Sequence, residues 1–319
     1  MKKFMKICAV TTAIMLVLGM SMLVLGGCGG GLKQTFDKLQ NGDFSFTDED
    51  MKKIIDDVTE WGEDNVIVTS GDEEGRYLTD FPIVTDTADY ETSYDLSEVT
   101  NLSLQIGGCE MKITVSPDDK LYIRGENIRK LQDGVKDQTL YLITTNKDGI
   151  SSKTWSTIEM QIPAGFLWGD IHAEFGAGDF ELDGLRAGNI EIDLGAGRLQ
   201  MDNLSCTEVF ACKVGAGQVI VTDAVTDGDV LMEIGAGELR YDGSVSGNIE
   251  ANCAMGNLDL CIRESTQEDH NYEIMCSAGN VDLGSKSYSG LATQKDIDND
   301  ASTTYKLNCA MGNITLKFE

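Results

Sequence analysis

The side chains of this chain best suited to chemistry are nine cysteines, two histidines and a large excess of carboxylates, 53 Asp and Glu against 25 Lys and Arg. A zinc site needs Cys and His ligands at short, characteristic spacings. Cys206, Cys212 and Cys261 have no such spacing with a histidine, and His172 and His270 stand far apart, so neither a metal nor a cofactor is expected. Cys253, Cys276 and Cys309 each precede a small-residue tripeptide, in the slot that Leu194 and Val214 fill elsewhere. A free cysteine in such a slot acts as a small buried hydrophobe. Thiols stacked one strand apart also fall at the short end of disulfide Cα separations, so neighbours can oxidise.

His172 falls on an outward position one repeat from Glu191, which predicts an exposed ion pair; a general base needs a nucleophile beside it, and none is evident. His270 lies in a polar stretch expected to be a loop. Outward carboxylates at Asp179, Glu181, Glu191, Asp193, Asp259 and Asp282 invite comparison with carbohydrate-active β-helices. Glycosidic chemistry wants two carboxylates held at a fixed separation across a sugar-sized groove. Arg198, Lys213 and Arg240 are scattered among these acids, which predicts a solvated mixed-charge face. No catalytic residue is assigned, and the chain is expected not to be an enzyme.

What positions these residues is a repeat. Gly176-Ala177-Gly178, Gly195-Ala196-Gly197, Gly215-Ala216-Gly217 and Gly235-Ala236-Gly237 recur at intervals of about 20 residues, and the pattern continues through Gly256, Gly279 and Gly312, with an earlier copy at Gly107-Gly108-Cys109. Apolar residues alternate on both sides of each tripeptide, as in Ile190, Ile192 and Leu194 before and Leu199 and Met201 after. Alternation at period two around a small bend means two half-buried strands meeting at a corner. One such layer cannot bury its apolar side alone, whereas stacked layers share an interior. The expected fold is all-β, a single-chain β-solenoid with rungs of about 20 residues. Small corner residues let the bends stack, and glycine permits positive φ, so a branched residue at Gly197 or Gly217 should strain the corner. Asn257, Asn280 and Asn313 follow three corners and should align as a hydrogen-bonded amide column.

The N-terminus supplies an address. Lys2, Lys3 and Lys6 precede an uncharged stretch from Ile7 to Gly27, which predicts a cytoplasmic start and an extracytoplasmic remainder. Leu25-Gly26-Gly27-Cys28 resembles the lipobox of bacterial lipoproteins, making Cys28 a lipidation candidate; alternatively the apolar run stays uncut and spans the bilayer. Both outcomes anchor the chain outside. The stretch from 32 to 64 reads as helix, with Met51, Ile54, Ile55, Val58 and Trp61 on one stripe. Residues 62–93 are acidic and read as a tether or a strand leading in. The net charge of −28 argues against nucleic acid as a partner. Three regions result: an anchor over 1–28, a helical and acidic tether over 29–93, and the solenoid over 94–319.

A strand ending in Ile162-Pro163-Ala164-Gly165, followed by tandem Gly-x-Gly corners behind a membrane segment, resembles a bacterial family of unknown function catalogued as putative adhesins. That resemblance spans roughly 94–319 and implies an envelope-associated β-solenoid with no catalytic residue to carry over. The expected role is a non-catalytic surface scaffold or adhesin that binds an envelope or extracellular partner. The alternatives are an envelope-stress sensor or accessory subunit of a membrane complex, and a carbohydrate-active β-helix enzyme. Polar insertions at 263–271 and 284–304 are the expected partner-binding loops, with Tyr288 and Leu291 as apolar contacts. The strand Ile314 to Phe318 closes the sequence, so its free edge is expected to be covered by an insertion or by a partner.

Overall fold

The computed structural model describes residues 78, 80–144, 156–289 and 293–319. The apolar N-terminal segment with Cys28, the stretch read as helix, and Leu291 lie outside the described residues. No helix among the described residues is long and apolar enough to cross a membrane.

The described chain is all-β apart from one 3-10 turn at Gln267–Asp269. Its first part runs through β1 (Val84–Asp95), β2 (Asn101–Ile106), β3 (Cys109–Val115), β4 (Lys120–Lys136), β5 (Thr139–Thr144) and β6 (Thr157–Ile162). Four long bent strands follow, β7 (Trp168–Asp183), β8 (Arg186–Asp202), β9 (Ser205–Thr226) and β10 (Asp229–Val245). The last part comprises β11 (Ile249–Cys253), β12 (Asn257–Ile262), β13 (His270–Cys276), β14 (Asn280–Leu283), β15 (Lys286–Ser289), β16 (Thr293–Ile297), β17 (Thr303–Cys309) and β18 (Asn313–Phe318).

The four bent strands lie parallel and in register, with Phe175 paired to Leu194, Leu194 to Val214, and Val214 to Ile234. The period-two alternation therefore sends the same positions inward in every layer, and all four of these residues are buried in one core cluster. Each such side chain contributes about 1.5–3 kcal/mol when fully buried. The column runs on without a break: Ile106 precedes Phe175, and Cys253, Cys309 and Cys276 follow Ile234.

The layers do not stack in the order of the sequence at either end. The final strands β17 and β18 lie between β11–β12 and β13–β14, so β18 has a neighbour on each side. The edge expected to be covered by an insertion or by a partner is thus covered by β14 of the chain itself. At the other end β2 and β3 lie between β5–β6 and β7 in the same fashion. Both ends then finish antiparallel. β4 crosses β5 and β6 and carries β1 on its far side, while β15 and β16 cover β14 and β13. Antiparallel covering of a terminal layer satisfies backbone groups that would otherwise template pairing with another chain.

The second glycine of each Gly-Ala-Gly bend is the demanding one. At Gly237 φ is +140°, and a Cβ there would lie 2.0 Å from the Gly217 carbonyl oxygen; Gly197, at φ +116°, has its predecessor's oxygen at 2.2 Å. Gly217 differs from expectation, because its constraint is close approach to the Gly197 oxygen at 2.5 Å and not a positive φ. The first glycine is less tight, a Cβ at Gly195, Gly215 or Gly235 lying 2.7–2.9 Å from the preceding layer's oxygen, and only Gly176 among them meets nothing nearer than 3.5 Å.

Candidate functional site

The outward faces carry the polar chemistry. Where β1, β4, β6, β3 and β7 lie side by side, register places Glu91 beside Arg124, Arg124 beside Glu159, Glu159 beside Lys112, and Lys112 beside Glu181. Charge alternates in sign across five strands. Lys112 Nζ lies 3.0 Å from Glu181 Oε2, and Arg124 Nε 3.1 Å from Glu91 Oε1. The Glu181 hydrogen bond, with its charge, raises the Lys112 pKa. Glu110, Glu126 and Asp179 extend the acidic side, and with Lys112, Arg124 and Ile158 these three carboxylates line an open groove of about 420 Å³ that Glu91 does not reach. Two of the carboxylates picked from the sequence, Asp179 and Glu181, lie in this groove. Glu110, Glu126 and Glu159 were missed, because the non-sequential order of β3 and β6 that brings them together leaves no trace in the repeat.

A second row crosses the bent strands. His172 bridges two carboxylates, Nε2 to Glu174 Oε1 at 3.2 Å and Nδ1 to Glu191 Oε2 at 3.3 Å. Its pKa rises, chiefly through the Glu174 hydrogen bond. Lys213 Nζ completes the chain at 3.4 Å from Glu191 Oε1. Asp193 stands in register with Lys213, yet its Oδ1 is buried without a hydrogen bond among the described residues, and burial raises the carboxyl pKa. Asp259 and Asp282 sit elsewhere, Asp259 being 3.8 Å from Arg240 and Asp282 accepting from Asn280. The acids picked from the sequence therefore do not converge on one site.

His270 departs most from expectation. It is 5% exposed, and its ring stacks on Tyr305 with centroids 4.0 Å apart. Nε2 lies 2.6 Å from Ser265 Oγ and Nδ1 2.6 Å from Thr303 Oγ1. A serine hydroxyl on an imidazole is the start of a nucleophilic dyad, but a hydroxyl stands where a base is usually oriented by a carboxylate. Asp269 is engaged by Thr266, which donates to it through N and Oγ1 at 2.8 Å. The trio instead ties the 263–269 insertion to β13 and β17. Burial lowers the His270 pKa, consistent with a neutral ring.

The described residues of the insertion at 284–304 include β15, β16 and the start of β17. Tyr288 lies on β15 opposite Val281 and packs, half-buried, against the core. The two insertions are joined: Asn299 donates through Nδ2 to the His270 carbonyl at 2.7 Å, and Asn271 Oδ1 accepts from Asn299 N at 2.8 Å. The amide column forms in part. Asn313 donates to Asn257 at 2.9 Å, and a parallel pair has Asn308 donating to Asn252 at 2.8 Å, whereas Asn280, though in register with Asn313, donates to Asp282.

An all-β chain with parallel in-register layers, glycine corners and polar outer faces defines the class of protein. Over residues 99–317 the chain matches the family described as Toastrack DUF4097, and it belongs to that family. The resemblance drawn from the Ile162-Pro163-Ala164-Gly165 strand and the corners is thereby upheld. Similar solved structures include a putative cell adhesion protein from Clostridium sporogenes ATCC 15579, 14% identical, covering 72% of this chain and 100% of that one at a TM-score of 0.33. A putative adhesin from Bacteroides fragilis NCTC 9343 is 12% identical over 73% of this chain and 99% of its own, at a TM-score of 0.32. One from Parabacteroides distasonis ATCC 8503 is 13% identical over 73% and 98%, at 0.33. No curated protein matches the chain.

Proposed function

We propose that this protein is a non-catalytic, adhesin-like surface scaffold, a β-solenoid with rungs of about 20 residues, anchored through its N-terminus and facing outside the cell. The alternating row Glu91, Arg124, Glu159, Lys112 and Glu181 over its groove is the observation that carries this reading. A row in which each interior charge has an opposite neighbour on both sides suits polar recognition of a partner surface, where charge complementarity sets specificity. Acid catalysis asks for the opposite, a carboxyl isolated from cations so that it stays protonated. The partner is a protein or glycan of the envelope or its surroundings, and the overall charge of −28 disfavours nucleic acid.

The test is capture from intact cells and from detergent-extracted envelopes by the full-length chain, with Lys112→Glu as the control. An adhesin binds cell surfaces and loses binding in the variant. Co-purification with one integral membrane protein instead would favour an accessory subunit or stress sensor, and release of soluble sugar would refute the non-catalytic reading. Fatty-acid labelling of wild type against Cys28→Ala distinguishes a lipid anchor from an uncut span.

A further inference from the structure

The column of inward cysteines holds a feature that the proposed scaffold role does not require. Cys253 and Cys309 are register partners on the adjacent parallel strands β11 and β17, and both are buried, at 3% and 0% exposure. Cys276 sits on the other side of Cys309, so Cys309 is the middle member of three. The structure holds all of them as thiols. Each of the first two tips the same way into its bend, Cys253 Sγ donating to the Gly256 carbonyl and Cys309 Sγ to the Gly312 carbonyl, both at 3.0 Å. In-register parallel neighbours are spaced about 4.8 Å apart, inside the Cα range that a disulfide accepts.

We infer that Cys253 and Cys309 form a disulfide as the chain folds, clamping the out-of-order final layer to β11. The thiolate is the nucleophile. Either cysteine, once deprotonated, attacks a low-molecular-weight or protein disulfide, giving a mixed disulfide and one released thiolate. The other then loses its proton and displaces the second oxidant thiol. Two protein thiols become one disulfide, and the oxidant's disulfide becomes two thiols. The exchange occurs before the layer closes, because the finished core excludes the oxidant. The bond encloses the chain from 254 to 308, including both insertions, and fixes β17 where the sequence order alone would have put β13. Cys276 is left as the free thiol.

The experiment is oxidative refolding of the full-length chain in detergent with oxidised glutathione, followed by alkylation under denaturing conditions and peptide mapping. The expected result is a Cys253–Cys309 cross-linked peptide in most chains, with Cys276 alkylated, and a Tm that falls by roughly 5–10 °C on reduction. Cys276→Ala keeps both the cross-link and the Tm difference, and Cys253→Ala removes both. Recovery of all three cysteines as alkylated thiols after folding in oxidant overturns the inference. So does a cross-link that involves Cys276 in the wild-type chain. The peptide readout applies to unfolded material as well, so a variant that folds poorly still reports.

Discussion

The imidazole of His270 lies on the ring of Tyr305 with centroids 4.0 Å apart and planes inclined by only 18°. The same imidazole is nearly parallel to Phe318, at 5.8 Å and 16°. A polar residue from an insertion is thereby built into the seam where β13 and β17 meet, with a hydroxyl on each ring nitrogen.

Because the chain has two histidines, their titrations can be read separately by NMR. His270 is expected to titrate below the ordinary value of 6.5, since burial disfavours its charged form. His172 is expected to titrate above it, since carboxylates favour that form. The contributions to stability have opposite signs. A depressed His270 contributes stability fully present above its unfolded pKa and lost as pH falls through the window below 6.5. His172 contributes stability that is present below its unfolded pKa and lost as pH rises through its raised folded value. Finding His270 above His172 would contradict the burial and stacking described.

Gly237 and Gly176 should respond very differently to alanine. At Gly237 the new Cβ would lie 2.0 Å from a carbonyl oxygen at φ +140°, and a loss of about 3 kcal/mol or more is expected. At Gly176 the nearest atom is 3.5 Å away, and the change should stay within about 0.5 kcal/mol. Urea denaturation of the two variants measures the difference, and equal losses would show that the corners do not stack as described.

Tyr305 is fully buried, yet its hydroxyl has no hydrogen-bond partner among the described residues. An unsatisfied buried polar group costs about 1–3 kcal/mol. Tyr305→Phe is therefore expected to be neutral or stabilising by about 1 kcal/mol, while keeping the stacking on His270. A clear loss of stability in thermal melts would mean that the hydroxyl is satisfied after all.

Lys112 and Glu181 are both about half exposed, so their ion pair is screened by solvent. Lys112→Glu is expected to leave the melting temperature close to wild type while abolishing partner capture. A variant that melts early would assign the row to stability and not to recognition.

Period-two alternation and the recurring corners were enough to read the inward columns at Phe175, Leu194, Val214 and Ile234, because burial on one face imposes that pattern on any strand. Stacking order was not legible. Ala251, Leu307 and Ile274 are all apolar at one register position, as are Leu258, Ile314 and Val281 at another, so each layer fits equally well beside any other. What decides the order is the path of the insertions and the antiparallel strands β15 and β16, whose mixed polar sequences carry weak alternation. His270 reads as a loop residue because its sequence neighbours are polar, whereas its burial comes from Tyr305 and Phe318, far along the chain. The charged row failed to appear for a related reason, since Lys112 and Glu159 meet only once β6 is placed beside β3.

Leu307 provides the most direct measurement. It is the register partner of Ala251 on one side and of Ile274 on the other. In a methyl-labelled sample its methyls should show NOEs to both. A direct Ala251–Ile274 contact, with Leu307 in contact with neither, would restore sequence-order stacking and contradict the account.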